Sequence, residues 1–181
     1  MKNQLDVTLN ILLFLAVTLV FIVIQSTLLN YYIFKSFGPD LCLLMIIYIG
    51  ISRDFWEGIA VSFVISYIVS INGSGQHMLF LIHYLLVFII ARFVGLAIYM
   101  DSYKDHIAAG GCLTFINKLI LAVWAYLASV PAVGHLVLAG FMSSAINAAL
   151  APLLFLLFKW MDIITGRAEP EYVKSRPETV R

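Results

Sequence analysis

Between Asp6 and Lys35 the chain carries no charged residue, and most of that stretch is Leu, Ile, Val and Phe. A helix needs about twenty such residues to cross a bilayer, so one run of this length already limits the folds open to the chain. The run is continuous. It lacks the alternation, in segments of about ten residues, that marks a strand of a membrane barrel. Similar runs recur to residue 160, and the whole chain is 62% hydrophobic and 12% charged. A soluble domain carries about 25% charged residues, twice what is available here to cover a globular surface. Lipid leaves only helices and closed barrels able to satisfy the backbone, so the expected fold is an all-α integral membrane protein.

Six segments are expected, at about 9–29, 39–52, 55–71, 78–100, 109–130 and 135–160, in one transmembrane domain over residues 1–164. The first is expected to be a retained helix and not a signal peptide, since its apolar run is long and no A-x-A site follows. Pro39 suits the first turn of the second segment, having a fixed φ and no N–H. That segment spans only about 21 Å at 1.5 Å per residue. Asn72-Gly73-Ser74-Gly75 reads as a turn. Residues 165–181 are polar and mixed in charge, and they read as a disordered cytoplasmic tail.

Lys and Arg set the orientation. With six crossings and a cytoplasmic N-terminus, the inner side holds Lys2, Arg53, Lys104, Lys159, Arg167, Lys174, Arg176 and Arg181, with Arg92 within reach of it. Lys35 alone falls outside, and Lys118 lies within segment five. If the short second segment did not cross, the basic C-terminal part would lie outside. The charge pattern therefore favours a crossing, with both termini cytoplasmic.

Small residues recur at every fourth position: Gly58, Ser62, Ser66 and Ser70 in segment three, and Gly140, Ser144 and Ala148 beside Asn147 in segment six. Such stripes let backbones approach closely in lipid. Gly58, Ser62, Ser66, Gly140, Ser144, Asn147 and Ala148 are thus candidates either for packing within the bundle or for a partner's helix. Charged groups inside apolar segments are costly and are often functional. Arg92 and Lys118 either snorkel to the surface or pair with Asp54 or Glu57, and these four residues form a candidate intramembrane polar network. Gln25 and Asn147 read as interhelical hydrogen-bond glue.

Chemistry is sparse. Cys42 and Cys112 are expected near opposite faces of the bilayer, which argues against a disulfide, and neither has a metal or redox spacing. His77 and His83 fall on different helix faces, and His106 and His135 on opposite sides. No nucleophile, acid–base pair, phosphate loop or dinucleotide motif is present. No enzyme activity, cofactor, metal or nucleic-acid partner is therefore expected. An acidic residue in mid-membrane, which ion coupling would call for, is missing from the interiors of segments one, three, four, five and six.

Several stretches together resemble the MreD family of bacterial rod-shape-determining membrane proteins. They are Gln25-Ser26-Thr27, Gly38-Pro39-Asp40 leading a short apolar helix, Ile47-Tyr48-Ile49-Gly50, the Asn-Gly-Ser-Gly turn, and Ser143-Ser144-Ala145-Ile146-Asn147-Ala148-Ala149-Leu150-Ala151-Pro152-Leu153-Leu154 ending in Phe158-Lys159-Trp160. The resemblance covers residues 9 to 162 and rests on order, spacing and length. It departs from the family in lacking an acid near the end of the third helix and in its more charged Arg53–Glu57 turn. It implies a fold similar to the S component of energy-coupling-factor transporters. The implied function is a non-catalytic scaffold of the cell-elongation machinery, regulating shape and peptidoglycan synthesis. The implied partners are MreC, MreB, RodA and its penicillin-binding transpeptidase, alongside membrane lipid. The alternative is a substrate-binding S-type subunit of a vitamin transporter. Segment one, however, has no second alanine four positions from Ala16.

Overall fold

The computed structural model describes residues 2–27, 38–72, 77–97, 102–127 and 133–167. Among these the fold is all helix: α1 (Lys2–Ile24), α2 (Leu41–Ser52), α3 (Phe55–Asn72), α4 (His77–Ala97), α5 (Tyr103–Leu127) and α6 (Val133–Ile164). Three stretches, Asp6–Thr27, Tyr103–Leu127 and Val137–Ile164, are long and apolar enough to cross a membrane. Residues 28–37, the Gly73–Gly75 turn and the tail beyond 167 lie outside the described residues.

Close approaches fix the helix directions. Gly110 of α5 faces Ala151 and Gly111 faces Ala148, while Gly140 faces Lys118, so α5 and α6 run antiparallel. Gly50 of α2 meets Ala91 and Gly95 of α4 meets Ile51, so those two run parallel. Consecutive helices therefore alternate in direction. The start of α1, the α2–α3 turn and the end of α6 share one end of the bundle, called here the terminal end. Any side chain at Gly110 would collide with Ala151, because its Cβ would fall 2.4 Å away.

The short α2 is the hub. It is apolar on every side, and nine of its twelve residues are buried, as expected of a helix walled in all round. Asp40 starts it, with a carboxylate oxygen accepting Leu43 N–H at 3.0 Å. Arg53 stops it in an extended conformation, its N–H closing on the Ile49 carbonyl. At 1.5 Å per residue, Asp40 and Arg53 lie about 20 Å apart. Asp40 therefore sits near mid-bundle, level with the middle of α5.

Two expected boundaries shift. The polar link before segment five is already helical from Tyr103. Ser102 and Asp105 form a capping box there, with Ser102 Oγ receiving Lys104 N–H and Asp105 Oδ2 receiving Ser102 N–H at 3.0 Å. Segment six runs past Trp160 to Ile164. It ends in a Schellman turn in which Arg167 N–H reaches the Asp162 carbonyl and Gly166 N–H the Ile163 carbonyl. Gly166 takes the required φ of +70°. A polar residue ends an apolar run without ending a helix. Cys42 and Cys112 do not lie near opposite faces. Leu44 packs on Gly110, which sets both cysteines at similar depth. They are still free thiols, one buried and one turned outward.

Candidate functional site

Charge gathers at the terminal end. Arg53 is buried at 4% exposure. Its guanidinium donates to Glu57 Oε1 at 2.8 Å, to Asn10 Oδ1 at 2.6 Å and to Asp162 Oδ1 at 2.9 Å. It also stacks 4.4 Å over the Phe14 ring, a cation–π contact. Asp162 further accepts from Asn10 Nδ2 at 2.9 Å and from Tyr48 O–H at 2.7 Å. Asn10 also donates to Thr165 Oγ1 at 2.6 Å. Arg167 pairs with the second oxygen of Glu57. Two guanidinium groups thus face two carboxylates, and α1, the α2–α3 turn and the end of α6 are tied together. Buried charges persist only when paired and hydrogen-bonded. Both guanidinium groups are paired here, across helices more than a hundred residues apart, while Arg53 Nε and Arg167 Nη1 are left without a partner among the described residues.

The expected network of Asp54, Glu57, Arg92 and Lys118 does not form. Glu57 pairs with Arg53 and Arg167. Arg92 instead donates to the Arg53 carbonyl at 2.6 Å, beyond the C-terminus of α2. Asp54 is exposed, and its carbonyl takes the Gly58 N–H at the start of α3. Lys118 lies over Gly140, toward the other end of the bundle. Helix direction explains the miss: Lys118 follows the middle of α5, more than one turn past the level of Asp40.

A second polar layer crosses the middle. Asp40 is 7% exposed. Its second oxygen accepts Tyr84 O–H at 2.7 Å, and its N–H donates to Asn147 Oδ1 at 3.0 Å. Asn147 Nδ2 donates to Thr114 Oγ1 at 3.0 Å, and Ser143 Oγ donates to the Gly38 carbonyl. Asn147 therefore links α2, α5 and α6. Asp40 is an acidic residue at mid-bundle, whereas a crossing helix over 39–52 would put it near a membrane surface. The usable signal was the length of α2, too short to start at the far end.

The small-residue stripes face inward. Gly58 sits on the Phe88 ring, Gly140 on Lys118, and Ala148 on Gly111. Ser62 and Ser66 are fully buried, and the Ser66 hydroxyl bonds the Ser62 carbonyl. Ser144 bonds the Gly140 carbonyl. These positions are occupied by the chain's own helices. The outward face of α6 is different. Leu153, Leu156, Leu157, Trp160 and Ile164 are exposed at helical spacing. Except for Ile164, these residues line an open groove of about 580 Å³, together with Lys159 and Ile163.

No family model, curated protein or solved structure matches the chain.

Proposed function

We propose that this chain is a non-catalytic membrane scaffold of the bacterial cell-elongation machinery. In this reading it crosses the plasma membrane six times with both termini in the cytoplasm. The observation that carries the reading is the division of α6. Its small-residue face is spent against α5, and its large apolar residues Leu153, Leu156, Leu157 and Trp160 stand outward along a groove. Apolar anchors at such spacing are what a partner helix packs against.

The membrane setting has independent support. Tyr103 and Tyr126 are exposed on α5, about 35 Å apart along the axis at 1.5 Å per residue. That separation suits rings settled at the two interfaces of a hydrocarbon core about 30 Å thick. Arg53, Arg92, Lys104, Lys159 and Arg167 belong to the terminal end, as the cytoplasmic side requires. The charge cluster and the mid-bundle layer tie distant helices together, which suits a protein acting through its surfaces. The resemblance to MreD supplies the partners, MreC, RodA, its transpeptidase and MreB; the outward α6 face is the surface on which this reading seats MreC.

The test is affinity purification of the tagged chain from its native membrane in mild detergent, with mass spectrometry of what comes with it. MreC, RodA or the transpeptidase is the expected result. An ATPase pair with a membrane coupling subunit would replace the scaffold with a substrate-binding transporter subunit.

A further inference from the structure

Pro152 lies inside α6. Having no N–H, it leaves the Ala148 carbonyl without its helical donor, and its ring crowds that carbonyl, so the helix bends most easily there. In lipid such a break needs a neighbouring helix to back it. Gly110 and Gly111 of α5 supply the backing. A Cβ on Gly110 would fall 2.4 Å from the Ala151 Cβ and 3.3 Å from the Asn147 carbonyl oxygen, and one on Gly111 would fall 3.0 Å from the Ala148 Cβ. The two helices therefore meet backbone to backbone at the break, with no side chain there large enough to interlock.

The two halves of α6 are held in different ways. Before the break, Asn147 is bonded to the Asp40 N–H and to Thr114, and Ser143 to the Gly38 carbonyl. Beyond it the buried side chains are Leu154, Phe155, Phe158 and Met161. Phe155 and Phe158 pack on the Tyr48 ring, with centroids 5.6 and 5.3 Å away. Lipid tails are as apolar as these side chains, so no hydrophobic driving force holds them in the bundle. The polar ties at the far end matter more for that reason. Asp162 accepts from Arg53, Asn10 and Tyr48, Thr165 accepts from Asn10, and Arg167 pairs with Glu57. Leu153, Leu156, Leu157 and Trp160 all lie beyond the break, so any movement of this half carries the groove with it.

From the break, the glycine pair and the polar end together, we propose that residues 152–164 form a lever that pivots at Pro152 on Gly110 and Gly111, with Asp162 in the Arg53 cluster as its latch. Latched, the groove keeps one position relative to the first half of α6. Released, it swings. Control of partner engagement by this lever rests on the groove being a partner face; the lever itself does not.

The test uses the full chain, without partners, in phosphatidylcholine nanodiscs. Nitroxide labels are placed on Leu138→Cys and Leu156→Cys in a Cys112→Ser background, Cys42 being buried. Both labelled positions are exposed. They lie on one side of α6, about 27 Å apart at 1.5 Å per residue. Double electron–electron resonance reads the distance. The latched chain gives one narrow distribution. Asp162→Asn at least doubles its width, and Pro152→Ala added to Asp162→Asn makes it narrow again. Tyr48→Phe, which removes one hydroxyl from the latch, broadens it less and decides the matter should Asp162→Asn fail to fold. Latch variants as narrow as their parent overturn the proposal, and so does breadth that survives Pro152→Ala. A lever seen here without MreC among the co-purifying proteins would remove the partner reading alone. MreC bound by a chain whose distance never broadens would remove the lever alone.

Discussion

Replacing Arg53 by Met isolates the energetic weight of the terminal-end cluster. Methionine keeps an unbranched stem over Phe14 but removes the bonds to Glu57, Asn10 and Asp162. Removing one partner of a buried ion pair costs about 3–5 kcal/mol, chiefly by leaving the other charge uncompensated. Asp162 keeps the donors of Asn10 and Tyr48, and Glu57 keeps Arg167, so the low end, about 3 kcal/mol, applies. For a chain of this size that lowers the unfolding temperature by roughly 6–12 °C. Arg92→Met is the matched control. It removes a half-buried guanidinium bonded to the Arg53 carbonyl and should cost about 1 kcal/mol. The double variant Arg53→Met/Asp162→Leu should be more stable than Arg53→Met alone, because it removes the stranded charge along with its partner. The rescue is partial, since Tyr48 and Asn10 also lose an acceptor. Thermal unfolding in detergent, checked by reversible unfolding in mixed micelles, reads all four proteins. If Arg53→Met and Arg92→Met lose equal stability, or if the Asp162→Leu change adds to the damage, the buried-cluster reasoning fails.

Other positions give sharper contrasts. Gly110→Val should cost at least about 3 kcal/mol by overpacking, since even its Cβ falls 2.4 Å from Ala151, and size-exclusion chromatography should show aggregation. Asn147→Leu should cost about 2–4 kcal/mol in the same unfolding assay by stranding the Asp40 N–H and removing the Thr114 bond. Arg167→Ala breaks only a partly exposed pair and should cost no more than about 1 kcal/mol, an effect that shrinks further in high salt.

The helices were legible in the sequence because lipid-compatible runs are local features. Arg53 could be seen as a marker of orientation, but its partners could not. Asn10 and Asp162 lie in distant helices, and no local periodicity brings them to one guanidinium. Asp162 was further hidden by ending the last helix at Trp160, before the Gly166 turn that fixes its position. Asp40 reads as part of the first turn of a crossing helix, and so as a residue near one membrane surface, because Pro39 suits that turn. Only the shortness of α2, set against the length of α5 and α6, carries it to mid-bundle. The small-residue stripes were visible by spacing, but whether they faced the chain's own helices depended on which helices became neighbours. The outward stripe on α6 is indistinguishable in sequence from the rest of an apolar helix.

The most direct test of the scaffold reading is photo-crosslinking in the native membrane from a reactive amino acid placed at Leu156, on the α6 groove, and at Phe63, exposed on α3. The account predicts a discrete protein adduct from Leu156, containing MreC, and none from Phe63. Protein adducts from both positions alike, or from neither, would contradict the claim that the outward face of α6 is where this chain meets its partner.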